Sequence, residues 1–416
     1  LLAIVALLFV TEMIPLAMTA IGASVACYAL GLVPENQIFL GLADSTVVLF
    51  GGMFVVGAAM FYTGLAQKIG GGVVRMFGKG ENSLMFGIMI IAALMSAVLS
   101  NTGTTACLIP VVMGICANAK ISASRELMPL AFAAGLGGTI TLIGTPPNIL
   151  ANVALKAAGM PELQFGFFEY AWIGIPITIA GIVYMMFIGK YLLPEDSGTL
   201  NLEIDEEILE NETSTQKQII CGIIMVGVIG SMATGIVPLE IAAVVGAVIA
   251  VLTGCLTEKQ AYNSIDWVTI FLFAGMIPVA TAMNTSGAGK LIAEATVKML
   301  GGDPSPYMVT AVLFGLAVVL TQFMSNTASK ALLCPVGIAL SAQMGASPKA
   351  VLMAILIASS CAFASPVGTP PNTLVLGPGG YKFMDYLKAG TGLVAVCLIV
   401  SIIVIPIVWP FFPVSA

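Results

Sequence analysis

Two short polar motifs each occur twice in this chain, once in each half. Ser100-Asn101-Thr102 interrupts one apolar stretch, and Ser325-Asn326-Thr327 interrupts another 225 residues later. A second repeated motif follows each of them, Gly144-Thr145-Pro146-Pro147-Asn148 in the first half and Gly368-Thr369-Pro370-Pro371-Asn372 in the second. The nearly constant offset predicts an internal duplication. Interrupted hydrophobic segments at matching positions of two repeats indicate where a duplicated membrane protein holds its ligand.

The composition requires a membrane environment. Of 416 residues, 59% are hydrophobic and only 9% are charged. Because a soluble domain is about 25% charged, this chain cannot cover a water-facing surface. Its apolar runs are long enough to cross a bilayer as helices and lack the alternation of a membrane barrel. We therefore predict an all-α polytopic membrane protein.

The duplication predicts two repeats, each with a re-entrant hairpin and a discontinuous transmembrane helix. The predicted boundaries are 1–192 for the first repeat, 193–217 for a polar linker, 218–416 for the second repeat, 84–116 and 307–342 for the hairpins, and 129–157 and 349–377 for the broken helices.

Lysine and arginine predict the topology. With both hairpins re-entrant, ten basic residues fall on one face of the membrane and four on the other. The positive-inside rule makes the first face cytoplasmic and places the linker 193–217 there. The hairpins then enter from opposite sides, so the repeats are predicted to be inverted, in a plasma membrane of bacterial type. The apolar start at Leu1 predicts that an earlier membrane segment is missing from this sequence.

The serine of each Ser-Asn-Thr motif has two readings. Ser100 and Ser325 could simply cap the helices that restart after each hairpin turn. A helix N-terminus also presents free N–H groups and a partial positive charge to an anion, and the neighbouring amide and hydroxyl groups add donors. If the turns of the two hairpins, here called the tips, meet in the membrane, each would hold one carboxylate group. That arrangement favours a substrate with two negative charges.

The Gly-Thr-Pro-Pro-Asn motifs are predicted to unwind their helices, because consecutive prolines remove two backbone donors. The freed carbonyl oxygens are suitable ligands for Na⁺. No histidine occurs, and the eight cysteines are scattered singly, so the sequence indicates neither a metal cluster nor a disulfide framework. No mid-span acid is present for a proton relay, and no catalytic constellation indicates an enzyme.

Together, the four motifs resemble those of the divalent anion:sodium symporter family, the INDY-type dicarboxylate and citrate transporters, over essentially the whole chain. The resemblance implies a homodimer in which each protomer has a scaffold and a transport domain that moves like an elevator, without a cofactor. The transport domain would comprise residues 84–157 and 307–377, and the remaining spans would form the scaffold. It implies substrates such as succinate, malate, fumarate, 2-oxoglutarate or citrate, with Na⁺ as a possible coupling ion. The implied substrate-binding residues are Ser100, Asn101, Thr102, Thr145, Pro146, Ser325, Asn326, Thr327, Thr369 and Pro370.

The resemblance also implies two cation sites. The first maps onto Ser96, Ser100, Asn101 and Gly144, and the second onto Thr321, Met324, Asn326 and Gly368.

Lys330 stands where the first repeat has Thr105. It could be a lysine that extends to the membrane surface. Our sharper hypothesis is that its ammonium replaces a sodium ion beside the second tip. A fixed charge would hinder return of the empty carrier and favour exchange of dicarboxylates. Sodium symport is the main alternative, and a sulfate transporter or an anion channel are more distant ones.

Overall fold

The computed structural model describes residues 1–11, 13–76, 80–194, 214–234, 236–299 and 305–412. The predicted linker at 193–217 therefore lies outside the described residues except at its two ends. The described part of the chain consists of helices and their connections, with no strand among them. The prediction of an all-α polytopic membrane protein is confirmed.

The helices of the first half are α1 (Leu2–Thr11), α2 (Leu16–Ala29), α3 (Ser45–Tyr62), α4 (Leu65–Met76), α5 (Glu81–Ser96), α6 (Asn101–Ala119), α7 (Leu127–Gly137), α8 (Leu150–Ala157) and α9 (Ala171–Phe187). Those of the second half are α10 (Thr215–Thr234), α11 (Leu239–Leu252), α12 (Glu258–Ser264), α13 (Trp267–Thr285), α14 (Ala288–Met299), α15 (Pro306–Thr321), α16 (Asn326–Gln343), α17 (Pro348–Ala358), α18 (Pro370–Leu376) and α19 (Phe383–Val408).

The helices pack as pairs that repeat between the halves. Helix α2 packs against α13 as α3 packs against α11, and α5 packs against α7 as α15 packs against α17. The helices that follow the motifs cross between halves, because α6 packs on α18 and α16 packs on α8. This exchange brings the motifs of both halves to one place.

Three described helical segments are long and apolar enough to cross a membrane: Glu35–Tyr62, Thr215–Thr234 and Phe383–Val408. A fourth span is formed if α12 and the start of α13, which meet at a bend of 55°, are counted together. The other apolar helices of the described residues have 10–17 residues. Some of them, such as Glu81–Ser96 and Pro306–Thr321, end where a polar motif interrupts the apolar stretch. On α19, Ile399, Ile403 and Ile407 are more than half exposed, as expected of a face that contacts lipid.

Glu126 precedes α7 and is a buried acid that the sequence analysis did not identify. Its side chain is fully buried, and both carboxylate oxygens lack a hydrogen-bond partner among the described residues. Burial, with a smaller contribution from the nearby Glu81 carboxylate, raises the pKa of Glu126 above its ordinary value. The neighbouring Arg125 is paired with Glu81 at 2.7 Å and only partly opposes that effect. We expect the carboxyl to be protonated in the folded protein.

We expect Glu126→Gln to stabilise the protein increasingly as the pH rises from acid to neutral. In the unfolded chain the Glu126 carboxyl ionises at its ordinary pKa. Because the pKa of Glu126 is raised in the folded protein, the carboxyl lowers the free energy of unfolding at pH values above its ordinary pKa and has no such effect below it. The measurement is the midpoint of thermal unfolding in detergent micelles as a function of pH, with Glu162→Gln at an exposed position as the control. A pH-independent difference between Glu126→Gln and the parent would contradict the assignment.

Candidate substrate site

All four motifs line one cavity of about 560 Å³. It is bounded by the N-terminal ends of α6 and α16 and by the two proline-containing breaks. Each of the ten predicted substrate-binding residues lies on its wall, namely Ser100, Asn101, Thr102, Thr145, Pro146, Ser325, Asn326, Thr327, Thr369 and Pro370. Their common placement remains consistent with a single anion held between the repeats.

The opposite wall was not predicted from the sequence. It comes from the joint between α12 and α13, mainly Asn263–Asp266 and Thr269, with Leu16 and Phe54 beside it. Asp266 caps α13 by accepting hydrogen bonds from the backbone N–H and the hydroxyl of Thr269. An acid ahead of an apolar run is the sequence signal for such a cap, but nothing in the sequence places it at the cavity.

Both tip serines are helix caps. Ser100 Oγ accepts from the N–H of Gly103 at 3.1 Å, and Ser325 Oγ accepts from the N–H of Ala328 at 3.2 Å. The capping interpretation is confirmed, and it does not compete with anion binding. One bond per serine leaves the other N–H groups of the first turns of α6 and α16 without intrahelical partners at the cavity. Those N–H groups can bind a carboxylate.

The asparagine that ends each Gly-Thr-Pro-Pro-Asn motif holds the unwound backbone together. Asn148 Nδ2 donates to the carbonyls of Gly138 and Thr141, both at 3.0 Å. The equivalent Asn372 Nδ2 donates to Ala362 O at 2.8 Å and Ser365 O at 2.9 Å. Each asparagine thus satisfies two carbonyls of the unwound segment in its own half, between α7 and α8 or between α17 and α18.

A buried tyrosine supports each of these asparagines. Tyr170 donates its hydroxyl proton to Asn148 O, and Tyr386 donates to Asn372 O, each at 2.7 Å. Both rings are completely buried. The tyrosines lie at different distances along the chain from the motifs, so a constant sequence offset could not identify them.

The first predicted cation site consists of oxygens that converge on the Asn101 amide. The amide orientation that suits its surroundings has Nδ2 donating to Ser96 Oγ at 2.7 Å and to Gly144 O at 3.2 Å. Gly144 approaches so closely that a Cβ there would lie 3.0 Å from Ser96 O. Turned the other way, the amide places Oδ1 2.7 Å from Ser96 Oγ. In that orientation the group offers the oxygen ligands that Na⁺ prefers, and Ser96, Ser100, Asn101 and Gly144 would hold the ion. A bound ion would supply positive charge at the first tip.

The second predicted cation site brings together Thr321 and Asn326. Thr321 Oγ1 lies 2.6 Å from Asn326 Oδ1 and 2.7 Å from Ser359 O. Gly368 packs against the Thr321 backbone, and Met324 is buried beside the tip. The oxygens of this group also suit a monovalent cation.

Lys330 does not extend to the membrane surface, so that reading of the sequence is wrong. It is fully buried, and Nζ donates to Asn148 Oδ1 at 2.9 Å and to Ser360 Oγ at 2.8 Å. The Lys330 ammonium, which belongs to the second repeat, therefore contacts Asn148 in the proline-containing break of the first repeat. No acid within ion-pair distance accompanies it among the described residues. A buried ammonium held by neutral acceptors leaves its charge available to a nearby anion.

The two halves differ at this point. Asn148 Oδ1 accepts from Lys330, whereas the buried Asn372 Oδ1 has no partner among the described residues.

We expect Asn148→Ala to lower the free energy of unfolding by about 1–3 kcal/mol more than Asn372→Ala, because it deprives a buried ammonium of an acceptor. Thermal unfolding of both variants in micelles measures the difference. Asn148→Ala combined with Lys330→Met should recover most of it, and equal losses for the two asparagines would refute the asymmetry.

Comparison with known proteins agrees with the motifs. The sequence profile of the citrate transporter family (CitMHS) matches residues 6–333 and 323–414. An uncharacterized transporter of Haemophilus influenzae is 31% identical over 96% of this chain and 89% of its own length. The sodium-dependent dicarboxylate transporter SdcS of Staphylococcus aureus is 26% identical over 97% of this chain and 84% of its own.

A solved structure shares the fold. The YdaH transporter of Alcanivorax borkumensis superposes with a TM-score of 0.64 at 18% identity, covering 98% of this chain and all of that one. The resemblance to the divalent anion:sodium symporters is confirmed, and the chain is a transporter rather than an enzyme. It belongs to the citrate transporter family, whose relatives include sodium-dependent dicarboxylate transporters.

Proposed function

We propose that this protein carries di- or tricarboxylates of the succinate, malate, fumarate, 2-oxoglutarate and citrate class, and that its preferred mode is exchange. The observation that carries the proposal is the buried Lys330 ammonium, held only by Asn148 and Ser360 and accompanied by no acid among the described residues. The doubled tips supply matching donors for two carboxylates. The ammonium supplies a charge that stays with the protein.

In the proposed mechanism, a charge that stays with the protein determines whether the carrier returns across the membrane empty or loaded. The empty cavity would move with an uncompensated positive charge, which is costly in an apolar environment. A bound carboxylate offsets that charge, so loaded movement in both directions is favoured over empty return. Exchange of one carboxylate for another follows.

Sodium symport is the second candidate. The oxygens around Asn101 and around Thr321 fit a monovalent cation, and the relative SdcS is named as sodium-dependent. In that mode Na⁺ would supply the positive charge at each tip, and Lys330 would serve mainly to hold Asn148.

Movement is proposed to follow the elevator scheme. Residues 84–157 and 307–377 would form the transport domain, the remaining spans would form the scaffold, and two scaffolds would associate in a homodimer. The crossed packing of α6 on α18 and α16 on α8 supports this division, because it joins the motif-bearing helices into one body.

We expect Lys330→Thr, which installs the residue type found at Thr105, to abolish sodium-independent exchange or to convert it to sodium-dependent uptake. The measurement is uptake of labelled succinate, 2-oxoglutarate and citrate into proteoliposomes, varying only the sodium gradient and the internal carboxylate. The exposed Lys298→Thr is the matched control. Unchanged exchange in Lys330→Thr would rule out the fixed-charge role, and sodium-driven uptake by the parent into empty vesicles would establish symport instead.

We expect Thr102→Ala and Thr327→Ala each to raise the KM for succinate about tenfold or more, the effect of losing one hydrogen bond to a charged group. If both tips bind the same dianion, their effects should be similar in size. Initial rates of uptake measure this, with the exposed Thr391→Ala on α19 as the control. An effect confined to one tip would contradict binding of one carboxylate by each.

A further inference from the structure

The ion pair between Lys156 and Asp44 connects the two proposed domains. Lys156 Nζ, in the last turn of α8, lies 2.7 Å from Asp44 Oδ2. Asp44 also caps α3 by accepting from the N–H of Thr46 at 2.9 Å. The pair therefore joins the start of a scaffold helix to the end of the broken helix that carries one substrate motif.

Asp266 is the counterpart of Asp44 in the second repeat. Each precedes matching apolar helices, in which Phe50-Gly51-Gly52-Met53 corresponds to Phe273-Ala274-Gly275-Met276. Each caps its helix, α3 or α13, through a side-chain oxygen. The two carboxylates differ in their surroundings, because Asp266 lies on the cavity wall and has no basic partner among the described residues.

The helix packing around Asp44 also differs from that around Asp266. Helix α8 packs against α13, whereas the equivalent packing of α18 against α3 is at most marginal in the described part of the chain. Asp266 and the half-exposed Val268 line the cavity, whereas Asp44 and the buried Thr46 are not among the described residues that line it. We therefore interpret the Asp44 end as closed and the Asp266 end as open. Where repeats are inverted, exchanging their conformations produces the opposite end state.

We propose that Asp44–Lys156 and Asp266–Lys382 are alternative ion pairs, each of which closes one end of the cavity while the other is broken. Lys382 is the basic residue in the turn after α18, as Lys156 ends α8. It is exposed, and no acid lies within ion-pair distance of its ammonium among the described residues. When α18 moves against α3 and α13, Lys382 reaches Asp266 and Lys156 leaves Asp44. The inference rests on the alternating access of the proposed transporter.

Each ion pair favours one of the two end states of the transporter by a small amount and does not hold the protein permanently in that state. The Lys156 side chain is 48% exposed and that of Asp44 is 12% exposed, so water screens the attraction. Pairs of this kind change an equilibrium about two- to fivefold. A bias of that size suits a carrier, since a stronger pair would trap one end state and slow transport.

The test uses two cysteine reporters in nanodiscs, where both membrane faces are accessible. Val268→Cys should react with an uncharged maleimide when the Asp266 end is open, and Thr46→Cys when the Asp44 end is open. The eight native cysteines are buried, which keeps the background low. The ratio of the two labelling rates measures the conformational equilibrium. We expect Lys156→Gln to lower the Val268-to-Thr46 ratio two- to fivefold and Lys382→Gln to raise it two- to fivefold.

Two further variants complete the test. Asp44→Lys combined with Lys156→Asp should return the ratio toward the parental value from that of Lys156→Asp alone, because it restores an ion pair although it removes the cap of α3. Lys290→Gln, which removes the Lys290–Glu294 pair within α14, should leave the ratio unchanged, since both partners lie on one helix. Shifts in the same direction for Lys156→Gln and Lys382→Gln, or no shift for either, would falsify the alternation. Carboxylate uptake by the parent is measured in parallel, so that loss of the proposed function is distinguished from loss of the switch.

Discussion

Backbone polar groups inside an apolar membrane must find hydrogen-bond partners, and the rest of this structure depends on how they do so. The sequence breaks its helices four times within apolar segments. Ser100 and Ser325 satisfy part of the tips, and Asn148 and Asn372 satisfy part of the proline breaks. The donors that remain unpaired face one cavity, where an anion can use them. The proposed binding site is therefore a consequence of the breaks.

The duplication gives two copies of each polar motif, but the side chains of the two copies have different partners. At the first break the side-chain oxygen of Asn148 is occupied by the Lys330 ammonium, while that of Asn372 at the second break has no described partner. Asp44 is paired with Lys156, whereas Asp266 lies on the cavity wall without a basic partner among the described residues. The first difference lies in the sequence and is permanent. The second separates residues of the same type, and under the proposed alternation it reverses as the protein moves.

Several parts of the site could be predicted from sequence because each is a local pattern that occurs twice. The ten motif residues on the cavity wall are of this kind, and so are the capping serines. Other parts have no such pattern. Tyr170 and Tyr386 lie at unequal distances from the asparagines that they support, and the burial of Glu126 depends on helices distant in sequence. Lys330 was recognised as unusual, but its contact with the other repeat was not foreseen.

The sequence by itself determined that the chain is a duplicated, all-helical membrane transporter with two polar tips and two proline breaks, because composition and local hydrogen-bonding rules act within short segments. Only the tertiary structure decided that α6 packs on α18 and α16 on α8. The packing of α16 on α8 brings Lys330 to Asn148, and the α12–α13 joint contributes to the wall of the same cavity as the tips. The physical reason is that packing between distant segments depends on the shapes of whole helices, which no short motif encodes.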